Sequence, residues 1–95
     1  MKENHVLTVD GYGIDFEYKD MFSKFTPTIP VKVTVCTLTN LKTGDVVNTG
    51  YAYLHPGERF SKKQGRKIAL ARAMSPLTKL QRYYIWTEYL HTVNF

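Results

Sequence analysis

Small residues return every fourth position at Gly65, Ala69 and Ala73, inside a stretch that, Ala71 apart, carries long side chains. On a helix such positions fall on one side, and a stripe without bulk lets the helix backbone lie close to a flat partner. Ser61, just ahead of the stripe, has the side chain of an N-cap, so the spacing predicts a helix capped there and running to about Met74. A helix of this kind needs a sheet to rest on.

The first half of the chain supplies the strands. Residues 5–9 read as a short strand, and Asp10-Gly11-Tyr12-Gly13 offers glycines for a tight reversal. In residues 14–18 Ile14, Phe16 and Tyr18 alternate with Asp15 and Glu17, the period of a half-buried strand with the apolar set toward the core. Residues 19–30 break the pattern, and Pro27 and Pro30 oppose ladder pairing, so a surface connection pinned by Met21, Phe22 and Phe25 is expected. Residues 31–39 are rich in β-branched side chains and give the strongest strand signal; residues 42–45 form a turn and residues 46–54 return as the partner. His55-Pro56-Gly57 ends the sheet.

Ser75-Pro76 stops the first helix and opens a second, with Ser75 as N-cap and Pro76 at the first helical position. There Tyr83, Trp86, Leu90 and Val93 follow a spacing of three, four and three, and Leu77, Leu80 and Tyr84 widen the apolar side. The order β-β-β-β-α-α predicts an α+β fold: an antiparallel sheet of about four strands in two hairpins, then two C-terminal helices packed on one face. At 95 residues, one domain spanning residues 1–95 is expected.

Cys36 is the only cysteine, which excludes an intrachain disulfide and fits a reducing compartment. With no apolar run long enough to cross a bilayer and no signal-like N-terminus, a cytoplasmic protein without a membrane partner is the expectation. The formal net charge of +5 is lopsided: residues 1–50 hold 5 Lys/Arg against 6 Asp/Glu, and residues 51–95 hold 8 against 2. A field of one sign favours anionic partners.

Most of that charge sits in the first helix, where Lys62, Lys63, Arg66 and Lys67 occupy the opening turns. Basic side chains oppose the positive end of a helix dipole by roughly a few tenths of a kcal/mol each, whereas a bound anion would turn amides, dipole and cations to the same purpose. A solvated face that keeps the chain soluble is the plainer alternative. Arg59 and Arg72 lie at the edge of the cluster. Arg72 follows Gly65 by seven residues and Ile68 by four, on the small-residue side, where a guanidinium must find a carboxylate, such as Asp15 or Glu17, carbonyls or a ligand, or reach the rim.

Two resemblances attach to these residues. Ser61, Lys62, Lys63, Gln64, Gly65 and Arg66 follow a strand in the pattern of a serine, two lysines, any residue, a small residue and a third base. Over about residues 31–74 the chain thus resembles the second half of a double-stranded-RNA-binding domain. The resemblance implies phosphate-bridging roles for Lys62, Lys63 and Arg66. Over about residues 31–90 the chain also resembles a group of small bacteriophage proteins, through Phe60 to Ala73 and then Arg82, Ile85, Trp86 and Tyr89. That resemblance implies phage origin and an accessory role in the host cytoplasm.

Catalysis has no constellation to support it. His5, His55 and His91 are far apart, Cys36 lies within a strand, no nucleotide-binding fingerprint occurs, and no metal or cofactor is expected. The aromatics are more suggestive. Tyr51 and Tyr53 share a strand face, and Tyr83, Tyr84, Trp86 and Tyr89 crowd one helix, as core filling or as surfaces for bases, a partner or a second copy.

The expectation is therefore a non-enzymatic phage protein that binds nucleic acid or a nucleotide phosphate through Lys62, Lys63, Arg66, Lys67, Arg59 and Arg72. The alternative is an inhibitor of a host protein, such as a defence factor, using the basic face or a surface of Tyr51, Tyr53, Arg82 and Trp86.

Overall fold

The computed structural model describes residues 7–22, 28, 30–54 and 61–93. Its elements are β1 (Leu7–Val9), β2 (Tyr12–Phe22), β3 (Pro30–Asn40), β4 (Val46–Tyr53), α1 (Lys62–Ala73) and α2 (Lys79–Val93). The strands form one antiparallel sheet in the order β1-β2-β3-β4, and both helices follow it, so the fold is α+β. No helix among the described residues is long and apolar enough to cross a membrane.

The first hairpin turns on two residues. Asp10 (φ 51°) and Gly11 (φ 83°) both adopt left-handed backbone, as the two-residue turn that matches strand twist requires. Tyr12 and Gly13 already pair with Val9 and Thr8. The β3–β4 turn closes with Asn40 N donating to Asp45 O (2.8 Å) and Gly44 N to Asn40 O (2.7 Å), and Gly44 takes φ 80°.

Contrary to the connection expected over residues 19–30, β2 continues to Phe22, which pairs with Pro30. Every side chain of β2 from Glu17 onward is exposed, so no buried face is left to impose alternation, and the sequence loses its period there. Pro30 is accommodated as the first residue of β3. Met21 and Phe22 are exposed rather than buried as anchors, and Phe25 and Pro27 lie outside the described residues.

The register places Ile14, Phe16 and Tyr18 beside Leu38, Cys36 and Thr34, which in turn adjoin Asn48, Gly50 and Ala52. This is the face the helices cover. α1 lies over β3 and β4, and α2 reaches β1. One core cluster joins Ile14, Cys36 and Leu38 to Leu70 and Met74 and to Ile85 and Tyr89 of α2. Each fully buried aliphatic side chain there contributes roughly 1.5–3 kcal/mol. Val33 and Val35, on the opposite face, are also buried, in register with Tyr53 and Tyr51.

The small-residue stripe does what its spacing implies. Ala69 and Ala73 are fully buried, and Gly65 sits over Thr34. Its counterpart in the sheet is Gly50 of β4, where a Cβ would run into the α1 backbone at Ala69 O and Ala73 N. From the same strand Asn48 Nδ2 donates to Arg72 O (3.2 Å) and Ala73 O (3.1 Å), satisfying carbonyls at the end of α1.

The start of α2 differs from the expected Ser75 cap. Ser75 Oγ accepts from Asn48 Nδ2 (3.4 Å), and α2 is instead opened by a reciprocal capping box. In it Gln81 N donates to Thr78 Oγ1 (3.2 Å) and Thr78 N to Gln81 Oε1 (3.0 Å). The buried face differs too: Leu77 in the connection and Ile85 and Tyr89 of α2 point inward, whereas Leu80, Tyr83, Tyr84 and Leu90 are exposed. The helix is apolar around most of its circumference, so periodicity alone does not select the side that docks.

Gly50→Ala is expected to cost about 1–3 kcal/mol or more, because rigid backbone must move to admit the methyl group. At Gly65 the new Cβ meets side-chain atoms of Thr34, Oγ1 at 2.5 Å and Cβ at 3.2 Å, rather than main chain, and helix propensity improves, so Gly65→Ala should cost less. Urea unfolding midpoints give the ranking, and equal losses would contradict a main-chain contact at Gly50.

Candidate anion-binding surface

Ser61 caps α1 as its side chain suggests, accepting from Gln64 N at 3.2 Å. The opening turn holds no acid. At this end α1 comes down beside the far part of β2. There Lys62 Nζ lies 4.9 Å from the centroid of the Tyr18 ring, a cation–π contact.

Arg66, one turn on, is held by two phenols. Its Nη1 donates to Tyr18 Oη at 2.9 Å and its Nε to Tyr89 Oη at 3.4 Å. The hydrogen bonds to Tyr18 and then Tyr89 push the guanidinium pKa up, against a smaller opposing effect of burial. Tyr18 is exposed and Tyr89 buried, so Arg66 joins the rim of the sheet to the core side of α2. It is first a structural tie. Two of its five N–H groups are used in these bonds.

Lys63 is exposed and Lys67 half-buried, and among the described residues neither has a hydrogen bond or ion pair. Ion pairs occur on the neighbouring strands, at Lys19–Glu17 (3.7 Å) and Lys32–Asp20 (3.6 Å). Between these strands and α1 runs a groove of about 200 Å³ lined by Tyr18, Lys19, Asp20, Lys32, Val33 and Lys62. Among the described residues none of Lys62, Lys63, Arg66 and Lys67 is ion-paired to a carboxylate, and the groove runs along one side of them, with Asp20, paired to Lys32, sharing its lining with Lys62.

The remaining candidates separate. Arg59 lies outside the described residues, as do His5 and His55. Arg72 pairs with neither Asp15 nor Glu17. It is exposed, and its Nη1 donates to Tyr51 O at 2.6 Å. Since α1 lies over β3 and β4 and β4 is the edge strand, a residue on the flank of the stripe overhangs that edge and reaches main chain there.

Tyr51, Tyr53, Arg82 and Trp86 do not make one surface. Tyr51 and Tyr53 stack at 6.2 Å on the sheet face turned away from the helices. Arg82 Nη1 donates to Leu77 O (2.6 Å), closing the connection before α2. Trp86 is half-buried, edge-on to Tyr89 at 5.9 Å. Missed from sequence were Tyr18 and Tyr89 as partners of Arg66. Their separation of 71 positions leaves no local signal, although Tyr18 was placed on the core face.

Cys36 is fully buried, and desolvation, helped by the negative charge of Asp15, pushes its thiol from 9.0 up to about 12. Among the described residues no three His, Cys, Asp or Glu side chains are grouped to hold a metal ion. Comparisons with protein-family profiles, curated proteins and solved structures found no match to the chain.

Arg66→Ala is expected to cost about 1–3 kcal/mol, since it strips the buried Tyr89 hydroxyl of its donor. Tyr18→Phe should cost less, because water reaches the vacated position. A double-mutant cycle with Tyr89→Phe should show coupling, and additive effects would remove Arg66 from its structural role. Cys36 has a separate signature in pH. The folded state keeps its thiol protonated to about 12 while an exposed thiol ionises near 9.0, so its contribution is complete below pH 9 and declines above it. Cys36→Ala should flatten that alkaline decline in denaturant titrations.

Proposed function

We propose that the chain binds a phosphate-bearing polyanion, the backbone of a nucleic acid, across the surface formed by Lys62, Lys63 and Lys67, with Arg66 fixing its position and offering its spare N–H groups. The observation that carries this reading is the uncompensated charge of α1: four cations in its first two turns, no acid in the opening turn, and no carboxylate partner among the described residues. Lys62 and Arg66, and likewise Lys63 and Lys67, stand four residues apart, giving two rows with a rise of roughly 6 Å. An extended backbone suits such rows better than an enclosed nucleotide does. The adjoining groove, at about 200 Å³, is smaller than the roughly 300–1,000 Å³ of small-molecule pockets.

This reading assigns no sequence readout. The cations address phosphates, and phosphate contacts position a nucleic acid without reading its bases. The phage context implied by the resemblance is compatible with it, as an accessory protein acting on nucleic acid in the host.

Fluorescence anisotropy with labelled duplex and single-stranded oligonucleotides over a salt series tests the proposal. Four phosphate contacts, three from lysines and one from Arg66, predict that log K falls with log salt at a slope of about −3.6 on duplex and somewhat less on single strands. Replacing Lys62, Lys63 and Lys67 together by Ala should bring the slope to about −1 while circular dichroism stays unchanged. Binding that ignores salt, or survives the triple replacement undiminished, would refute the reading.

A further inference from the structure

The two edges of the sheet are not alike. β1 is three residues long, whereas β4 runs for eight, Val46–Tyr53, without an acid, a lysine, an arginine or a proline. Natural edges of that length are ordinarily blunted by such residues, because their outer N–H and C=O groups are a template for another strand. Two hydrogen bonds fix the direction of these groups in β4. Leu54 N donates inward to Lys32 O at 2.9 Å, and Tyr51 O accepts from Arg72 on the outer side. Antiparallel pairing alternates, so Gly50 and Ala52 turn their main-chain groups toward β3, while Thr49, Tyr51 and Tyr53 turn theirs away from the sheet. Among the described residues, Arg72 alone reaches these outer groups.

Arg72 comes over from α1 on the helix side of β4 and is exposed. It uses one of its five N–H groups on the Tyr51 carbonyl, Nη1 at 2.6 Å, and among the described residues it is paired to no carboxylate. A strand added beside β4 would place alternate side chains on the helix side, next to Gly50 and Ala52, where the guanidinium already lies. With Asp or Glu at such a position, Arg72 exchanges a neutral acceptor for a charged one, a stronger bond and often a bidentate one. The intervening side chains of the added strand would lie on the opposite face, beside the exposed stack of Tyr51 and Tyr53.

We infer that β4 takes up an extended acidic segment of a partner protein as a fifth strand, with carboxylates toward Arg72 and apolar side chains toward Tyr51 and Tyr53. Main-chain pairing supplies the affinity and the alternate side chains the specificity. Charge selects this occupant. Residues 51–95 hold 8 Lys/Arg against 2 Asp/Glu, so an acidic segment is attracted before contact. A second copy of β4 brings no carboxylate, and antiparallel pairing about Tyr51 would set two Arg72 guanidinium groups side by side. The edge is separate from Lys62, Lys63 and Lys67, and the inference does not rest on their role.

A fluorescein-labelled peptide of the length of β4, alternating Glu and Val, serves as the probe in anisotropy titrations with up to about 1 mM chain. It should bind, and a Lys-Val counterpart should bind at least about tenfold more weakly. Methylating every backbone nitrogen of the Glu-Val peptide keeps its charge and removes its strand donors, and should abolish binding to the unaltered chain. Arg72→Glu should reverse the order of the two peptides. With nitrogen-15-labelled chain, the Glu-Val peptide should slow hydrogen exchange at the amides of Thr49, Tyr51 and Tyr53, equally when Lys62, Lys63 and Lys67 are replaced by Ala. Absence of binding over the whole range overturns the inference, as does binding that survives methylation. Resonance shifts confined to α1 would mean a polyanion held by the lysines, and slowed exchange along β4 in concentrated chain alone would mean a second copy at the edge; either outcome also overturns it.

Discussion

The contact between α1 and β4 is made by main chain, because Gly50 leaves no side chain between the strand and the backbone of Ala69 and Ala73. Much else follows from how close this brings the helix. Asn48 can reach the last carbonyls of α1 with a side chain of only modest length. Arg72 can bend over the edge of the sheet to the Tyr51 carbonyl, where it also blunts an edge strand that would otherwise invite pairing. At the other end, the opening turns of α1 descend to the level of Tyr18, so Arg66 and Lys62 meet a residue of β2. A bulkier stripe would lift the helix and detach all of these contacts.

The charge on α1 exceeds what this architecture needs. Tyr89, which Arg66 touches, lies near the C-terminal turn of α2, so the two helices run with opposite ends together and the cations of one stand near the negative end of the other. That arrangement offsets part of the unfavourable placement, by roughly 0.3–1 kcal/mol for a cation within the last turn. Only Arg66 has a hydrogen bond in that direction. Lys63 and Lys67 hold no partner among the described residues and gain little at that distance in screened solvent. Structure thus explains Arg66 and, through the Tyr18 ring, part of Lys62.

Legibility followed the range of each signal. The Asp10-Gly11 turn, the β-branched run of β3, the Ser61 cap and the glycine-alanine stripe are local patterns whose physics is complete within a few residues, and each lies where its pattern implies. The Thr78-Gln81 capping box is equally local, but Ser75-Pro76 offered a rival start three residues earlier, and only the reach of Asn48 from β4 decides between them. Gly50 and Asn48 carry no meaning until α1 is laid across β4. For the candidate surface, the cations were legible as a cluster, whereas the division between a structural Arg66 and partnerless lysines depends on phenols remote in sequence.

α2 carries apolar residues on two sides, with Ile85 and Tyr89 buried and Leu80, Tyr83, Tyr84 and Leu90 exposed. Apolar residues on both sides of a helix give period reasoning two acceptable answers, and the sheet takes only one of them, the side of Ile85 and Tyr89. Selection for folding alone would leave the other side free to become polar. Two copies of a chain with net charge +5 repel at long range, and salt relieves that repulsion while leaving apolar burial intact. Salt weakens the grip of lysines on phosphate by counterion competition. A bound polyanion would itself neutralise the repulsion between copies.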